Sequence, residues 1–143
     1  MIKCQFALLA RGVIRDHETN AISIYNVIEQ FQFPSFPVFF PEVMYYAALV
    51  RDPATDPAEF ESIIRFKIDG ATVLQSEMKS NFQDKRGNRL ILRIGGLPIP
   101  NPGTLTIELL RKDNEELLHL YEIKVVTMGM PPTVEAQTEP EMA

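Results

Sequence analysis

Apolar and polar residues alternate with a period of two along most of this chain, and that pattern restricts it to extended strands with one buried face. From Phe60 to Ile68, the residues Phe60, Ile64, Phe66 and Ile68 share one phase, while Glu59, Glu61, Arg65 and Lys67 occupy the other. Leu105, Ile107 and Leu109 oppose Thr104, Thr106 and Glu108 in the same way. Leu90, Leu92 and Ile94 oppose Arg89 and Arg93, with Ile91 out of step. The pattern predicts eight strands, at about 3–13, 21–32, 43–51, 60–68, 72–81, 89–96, 104–111 and 117–127. Val43–Val50 and Ile22–Ile28 are apolar on both phases, which predicts strands that are central or covered on both sides. The expected fold class is all-β: a single antiparallel β-sandwich of about eight strands over residues 1–128. Residues 129–143 then form a Pro/Glu-containing tail, a composition expected to be flexible unless bound.

The connections divide into two kinds. Antiparallel strands reverse at each connection, so successive loops alternate between the two ends of a sandwich. The loops at 15–20, 52–57, 83–88 and 112–116 are charged and polar. Those from Phe33 onward and at Leu97–Gly103 are proline-rich and apolar, with a tight Asp69-Gly70 turn between them. A solvated charged end and a stiff apolar end follow. The apolar end is dominated by Phe31–Pro41, which holds five of the nine phenylalanines and three of the eleven prolines. Prolines at that spacing exclude a helix and a central strand, so the run predicts a rigid loop that either plugs the core or faces a partner. Phe36, Val38, Phe39 and Phe40, with Ile99 from the neighbouring loop, form the candidate partner surface.

Net charge and cysteine content exclude several functions. A net charge of −5 argues against nucleic-acid binding, which rests on neutralising phosphates. Basic residues nevertheless concentrate at 65–93, where seven of the fourteen fall among three acids. Arg65, Lys67, Arg89 and Arg93 are the candidate basic patch. The single cysteine precludes an intrachain disulfide. No apolar stretch reaches the roughly 20 residues a membrane span needs, and the N-terminal apolar run is too short for a signal peptide. Cytoplasmic residence without membrane contact is expected.

Little here suggests catalysis. Cys4 shares the phase of Phe6, Leu8 and Ala10, read as the inward face of the first strand, which predicts an inert buried thiol. His119 shares a phase with Leu117, Tyr121, Ile123 and Val125 and reads as a packed side chain, while His17 reads as a solvated turn residue. Asp16, Asp52, Asp56, Asp84 and Asp113 all fall in polar loops, but their spacing suits local turn hydrogen bonds rather than calcium ligation. No catalytic residue, cofactor site or metal site is expected.

One combination of segments is familiar. Phe6-Ala-Leu-Leu-Ala is followed by Asp16 in a turn, then by Ile22-Ser-Ile-Tyr-Asn-Val-Ile and Pro34-Ser-Phe-Pro37. Much later Gly96-Leu-Pro-Ile-Pro-Asn-Pro-Gly-Thr104 runs into Glu108-Leu-Leu. The chain resembles a family of small uncharacterised bacterial proteins, a domain of unknown function with an immunoglobulin-like or jelly-roll-like sandwich. Leu105 stands where members usually place an aromatic. The resemblance implies a sandwich and no activity. The residues themselves suit a non-catalytic protein-binding or assembly module, by self-association or docking on a protein partner. The alternative is a lectin-like module holding a sugar or small anion, for which a groove lined by two of Tyr25, Tyr45, Tyr46 and Tyr121 is the expected mark.

Overall fold

The computed structural model describes residues 1–129. Nine strands follow one another without a helix among the described residues: β1 (Lys3–Arg15), β2 (Ile22–Val27), β3 (Gln30–Phe33), β4 (Val38–Val50), β5 (Glu59–Ile68), β6 (Ala71–Asn81), β7 (Gly87–Ile99), β8 (Gly103–Arg111) and β9 (Leu117–Thr127). They form two sheets, β2-β1-β4-β7 and β3-β9-β8-β5-β6. The inward faces meet in one core that includes Leu9, Tyr45, Leu49, Ile64, Phe66, Leu97, Leu105 and Ile107. The expected sandwich is present. Its tail, apart from Gly129, lies outside the described residues.

The ninth strand arises because the apolar run 21–32 divides. β2 pairs with β1 as far as Ala10↔Val27, and the amide of Ile28 then bonds the Leu9 carbonyl. The chain turns at Ile28–Glu29, crosses to the other sheet, and runs as β3 parallel to β9, from Gln30↔Lys124 to Phe33↔Thr127. Ile22–Ile28 is therefore an edge segment and not a strand covered on both sides, and Val27 is largely exposed. The same expectation holds for β4. It lies between β1 and β7, and its outward-phase Met44 and Tyr46 are also buried.

The Phe31–Pro41 run is shorter as a loop than its prolines predict. Only residues 34–37 lie between strands, and β4 already begins at Val38. Pro41 is tolerated inside β4 because β1 has left that flank, its pairing ending at Ala10↔Met44. Opposite Pro41, Gly96 adopts φ 91°. The inward phase shifts across this pair: Val43 and Tyr45 face the core on one side, Val38 and Phe40 on the other. Phe31, Phe33, Phe36 and Phe40 pack as a ring cluster with centroids 4.9–6.0 Å apart. The apolar end is closed over the core.

The two ends otherwise sort as the alternation requires. Val38↔Ile99 joins the 34–37 and 100–102 loops, and Asp69 Oδ1 accepts the Thr104 amide at 3.1 Å. Asp69 and Gly70 both carry positive φ, 49° and 87°, as a two-residue mirror-image turn requires. Gly103 is needed in Pro-Gly-Thr because a Cβ there would fall on the Asp69 carboxylate. The polar loops 51–58, 82–86 and 112–116 gather at the opposite end. The loop at 16–21 is the exception, because its hairpin leaves the sheet.

Candidate functional site

Beyond Ala10 the strands β1 and β2 continue as a free two-stranded hairpin, paired as far as Arg15↔Ile22. Gly12 lies beneath the Tyr25 ring, and any side chain at that position would collide with it. The hairpin tip returns to the outward face of the β2-β1-β4-β7 sheet. There Arg89 of β7 donates through Nη1 to the Asn20 carbonyl at 2.8 Å, and Asn20 holds a left-handed φ of 62°.

Between hairpin and sheet lies an open groove of about 730 Å³. Arg15 and Asn20 form its roof. Its floor is the outward phase of three strands, with Gln5 on β1, Tyr46 and Ala48 on β4, and Arg89 and Ile91 on β7. Asn81, Gln83, Lys85 and Asn88 close it at the charged end. Phe6 packs on Tyr46 at 5.5 Å between centroids and presents an exposed edge beside the floor. Three cations and five carboxamides thus line one groove, and no carboxylate does.

Arg51 lies behind the groove and holds the loop that forms one wall of it, and nothing in the sequence marks it. It sits at the end of β4, only 6% exposed, without a carboxylate partner. Its guanidinium donates to the carbonyls of Lys85 (2.8 Å), Gln83 (2.9 Å) and Asp56 (3.1 Å) and lies over the Phe82 ring. Carbonyl dipoles replace the water that the buried charge has lost. The result pins the 82–86 loop so that Gln83 and Lys85 face the groove.

The sequence-predicted surfaces fare differently. Of the partner surface, Ile99 is fully buried, and Phe36, Val38 and Phe40 are half-buried against the core. Only Phe39 stands out, at 69% exposure, because Val38 and Phe40 take the inward phase around it. The basic patch is not one patch, since its members lie on different sheets. Arg65 and Lys67 point outward from β5, where both lie within 4 Å of Glu108. Arg93 pairs with Glu42 at 3.2 Å, and Arg89 alone lines the groove.

The remaining candidates take structural roles. Cys4 is half-buried against the core, and burial pushes its thiol up to about 11. A register shift between Cys4 and Phe6 reverses the phase, so Phe6 points outward and Ala7 and Leu9 inward. His119 is partly buried with Nδ1 unpaired, and burial lowers its pKa. His17 is exposed in its turn. Asp16, Asp52 and Asp56 accept turn amides from Glu18, Ala54 and Asp52 at 2.8–3.0 Å. Of the tyrosines, Tyr46 alone lines the groove, so the two-tyrosine mark expected of a lectin-like site is not met; Tyr45 is in the core, Tyr25 on the hairpin, and Tyr121 donates to the Ile28 carbonyl.

The molecule is thus a two-sheet β-sandwich carrying a hairpin-roofed polar groove on one outer face. Among the described residues no helix is long and apolar enough to cross a membrane. The chain belongs to DUF6941, a family of unknown function, whose model matches residues 5–126. That span runs from β1 into β9 and includes the hairpin. No curated protein matches the chain.

Proposed function

We propose that this protein is a non-catalytic binding module that holds a small, polar, sugar-like ligand in the groove beneath the hairpin. The observation that carries this reading is the concentration of Gln5, Asn20, Asn81, Gln83 and Asn88 around one cleft. A carboxamide carries both donors and an acceptor, which suits the paired hydroxyls of a saccharide; the oxygens of Asn81 and Asn88 already accept the Gln83 and Arg89 amides, so these two present their NH2 groups. The volume falls within the roughly 300–1,000 Å³ usual for small-molecule sites. The exposed edge of Phe6, backed by the buried Tyr46 ring, supplies an apolar side for a sugar ring. The parallel β3–β9 pair and the division of the N-terminal segment between sheets favour the immunoglobulin-like arrangement over the jelly roll. Cytoplasmic residence, expected from the lone thiol, belongs to the same proposal.

A screen of neutral and charged saccharides by saturation-transfer NMR tests the reading. Ala48→Trp fills the groove floor from its outward phase and should abolish the signals of any ligand found. Ligands that bind Ala48→Trp unchanged would remove the groove as their site.

Assembly remains a second reading because of one observation: β6 runs for eleven residues with β5 as its only paired neighbour among the described residues. Such an edge is a template for strand addition. Light scattering after size exclusion decides it, and a strict monomer at high concentration would count against self-assembly.

A further inference from the structure

We infer that the ligand of this groove carries negative charge, as a phosphate or carboxylate on a small polar body, and that Arg15, Lys85 and Arg89 receive it. The inference rests on the groove being the binding face and names the chemistry of what enters it.

These three residues stand apart because they share one cleft that no carboxylate lines. Arg65, Lys67, Lys79, Arg93, Arg111 and Lys112 each lie within 4 Å of a carboxylate. Among the described residues the other eight bases have no such partner, and three of these eight, Arg15, Lys85 and Arg89, line the groove together. The sheet that forms the floor is itself biased. Its strands carry five basic residues and a single acid, Glu42, which Arg93 already engages. Like charges held along one cleft repel, and an anion entering it relieves that repulsion.

The local bonding leaves the cations usable. Arg89 spends Nη1 on the Asn20 carbonyl, which fixes its plane and leaves Nε and Nη2 for a bidentate contact with an oxyanion. Lys85 is held through its backbone carbonyl by Arg51, so its ammonium remains uncommitted. Arg15 approaches from the hairpin side, opposite both. Phosphate and carboxylate share the planar or near-planar pair of oxygens that this set accommodates.

Calorimetric titration of the full chain with glucose 6-phosphate, glucuronate and glucose, and with inorganic phosphate as the minimal probe, tests the assignment. The charged sugars should bind at least about tenfold tighter than glucose, and Arg89→Gln or Lys85→Gln should each remove about a factor of ten. Raising salt from about 50 to 300 mM on the unmutated protein should weaken the charged sugars several-fold and leave glucose unchanged, which needs no variant to fold. Equal affinities for glucose and glucose 6-phosphate, both lost in Ala48→Trp, would overturn the charge assignment and leave the groove as a sugar site. Charged probes indifferent to Ala48→Trp, or no binding of any probe at millimolar concentration, would overturn the assignment and the groove reading together.

Discussion

Arg51→Met isolates the strongest claim made about how the charged end is built. Methionine keeps the apolar stem but removes the guanidinium, and with it the cation–ring contact on Phe82. Three charge-assisted hydrogen bonds are lost, to Lys85, Gln83 and Asp56. Such bonds contribute about 1.5–3 kcal/mol each when their acceptors are stranded. Here the acceptors belong to a surface loop that water can reach, so about 1 kcal/mol each is the better figure. The ring contact, at 5.4 Å from the Phe82 centroid, adds about 0.5 kcal/mol. The expected loss is therefore about 3 kcal/mol, or a fall in melting temperature of roughly 10 °C for a domain of this size. Arg51→Lys should recover only a minor part, because a single ammonium cannot span three carbonyls set around a planar fork. Urea unfolding followed by circular dichroism measures both variants. Hydrogen exchange should show the loosening first at the Arg51 amide, which bonds the Arg86 carbonyl. A loss below about 1 kcal/mol for Arg51→Met, or Lys equivalent to Arg, would refute the reasoning.

Three further outcomes follow from particular side chains. Tyr45 buries its hydroxyl completely without a partner, so Tyr45→Phe should be neutral or stabilising by up to about 1 kcal/mol in urea unfolding; a comparable loss would reveal an acceptor. Phe31→Ala should cost about 3–5 kcal/mol, while Phe39→Ser should change stability by less than about 0.5 kcal/mol, and a reversed order would contradict the closed apolar end. Burial lowers the His119 pKa, so below the ordinary value of about 6.5 the unfolded chain binds a proton that the folded chain does not. Stability should then decline as pH falls from 7 through that value, and His119→Gln should flatten that part of the profile; an unchanged slope would assign it to other groups.

The sequence carried the strands well and their partners poorly. Alternation at Phe60–Ile68 and Leu105–Leu109 reports a buried face directly, and Asp69-Gly70 names its own turn. The break at Ile28–Glu29 left no such mark, because both halves of 21–32 are apolar and only tertiary pairing tells β2 from β3. Pro41 misled for a related reason. A proline excludes a paired flank, and the sequence does not say that β1 has already turned away there. In the first strand, one bulge between Cys4 and Phe6 was enough to exchange the two faces. The groove was the least legible feature. Its residues come from β1, the hairpin turn, β4, the end of β6, the 82–86 loop and β7, and Arg89 reads identically to Arg93 until the hairpin is seen closing on it. Arg51 follows Val50 as an ordinary strand-end charge, and its burial depends on a loop more than thirty residues away.

The most direct test of the account is an amide chemical-shift map of the isotope-labelled protein during titration with glucose 6-phosphate. Shifts should concentrate on Gln5, Asn20, Gln83, Asn88 and Arg89, with the ion-paired face around Arg65, Lys67 and Glu108 silent. Shifts centred on that second face, or spread without focus over both sheets, would contradict it.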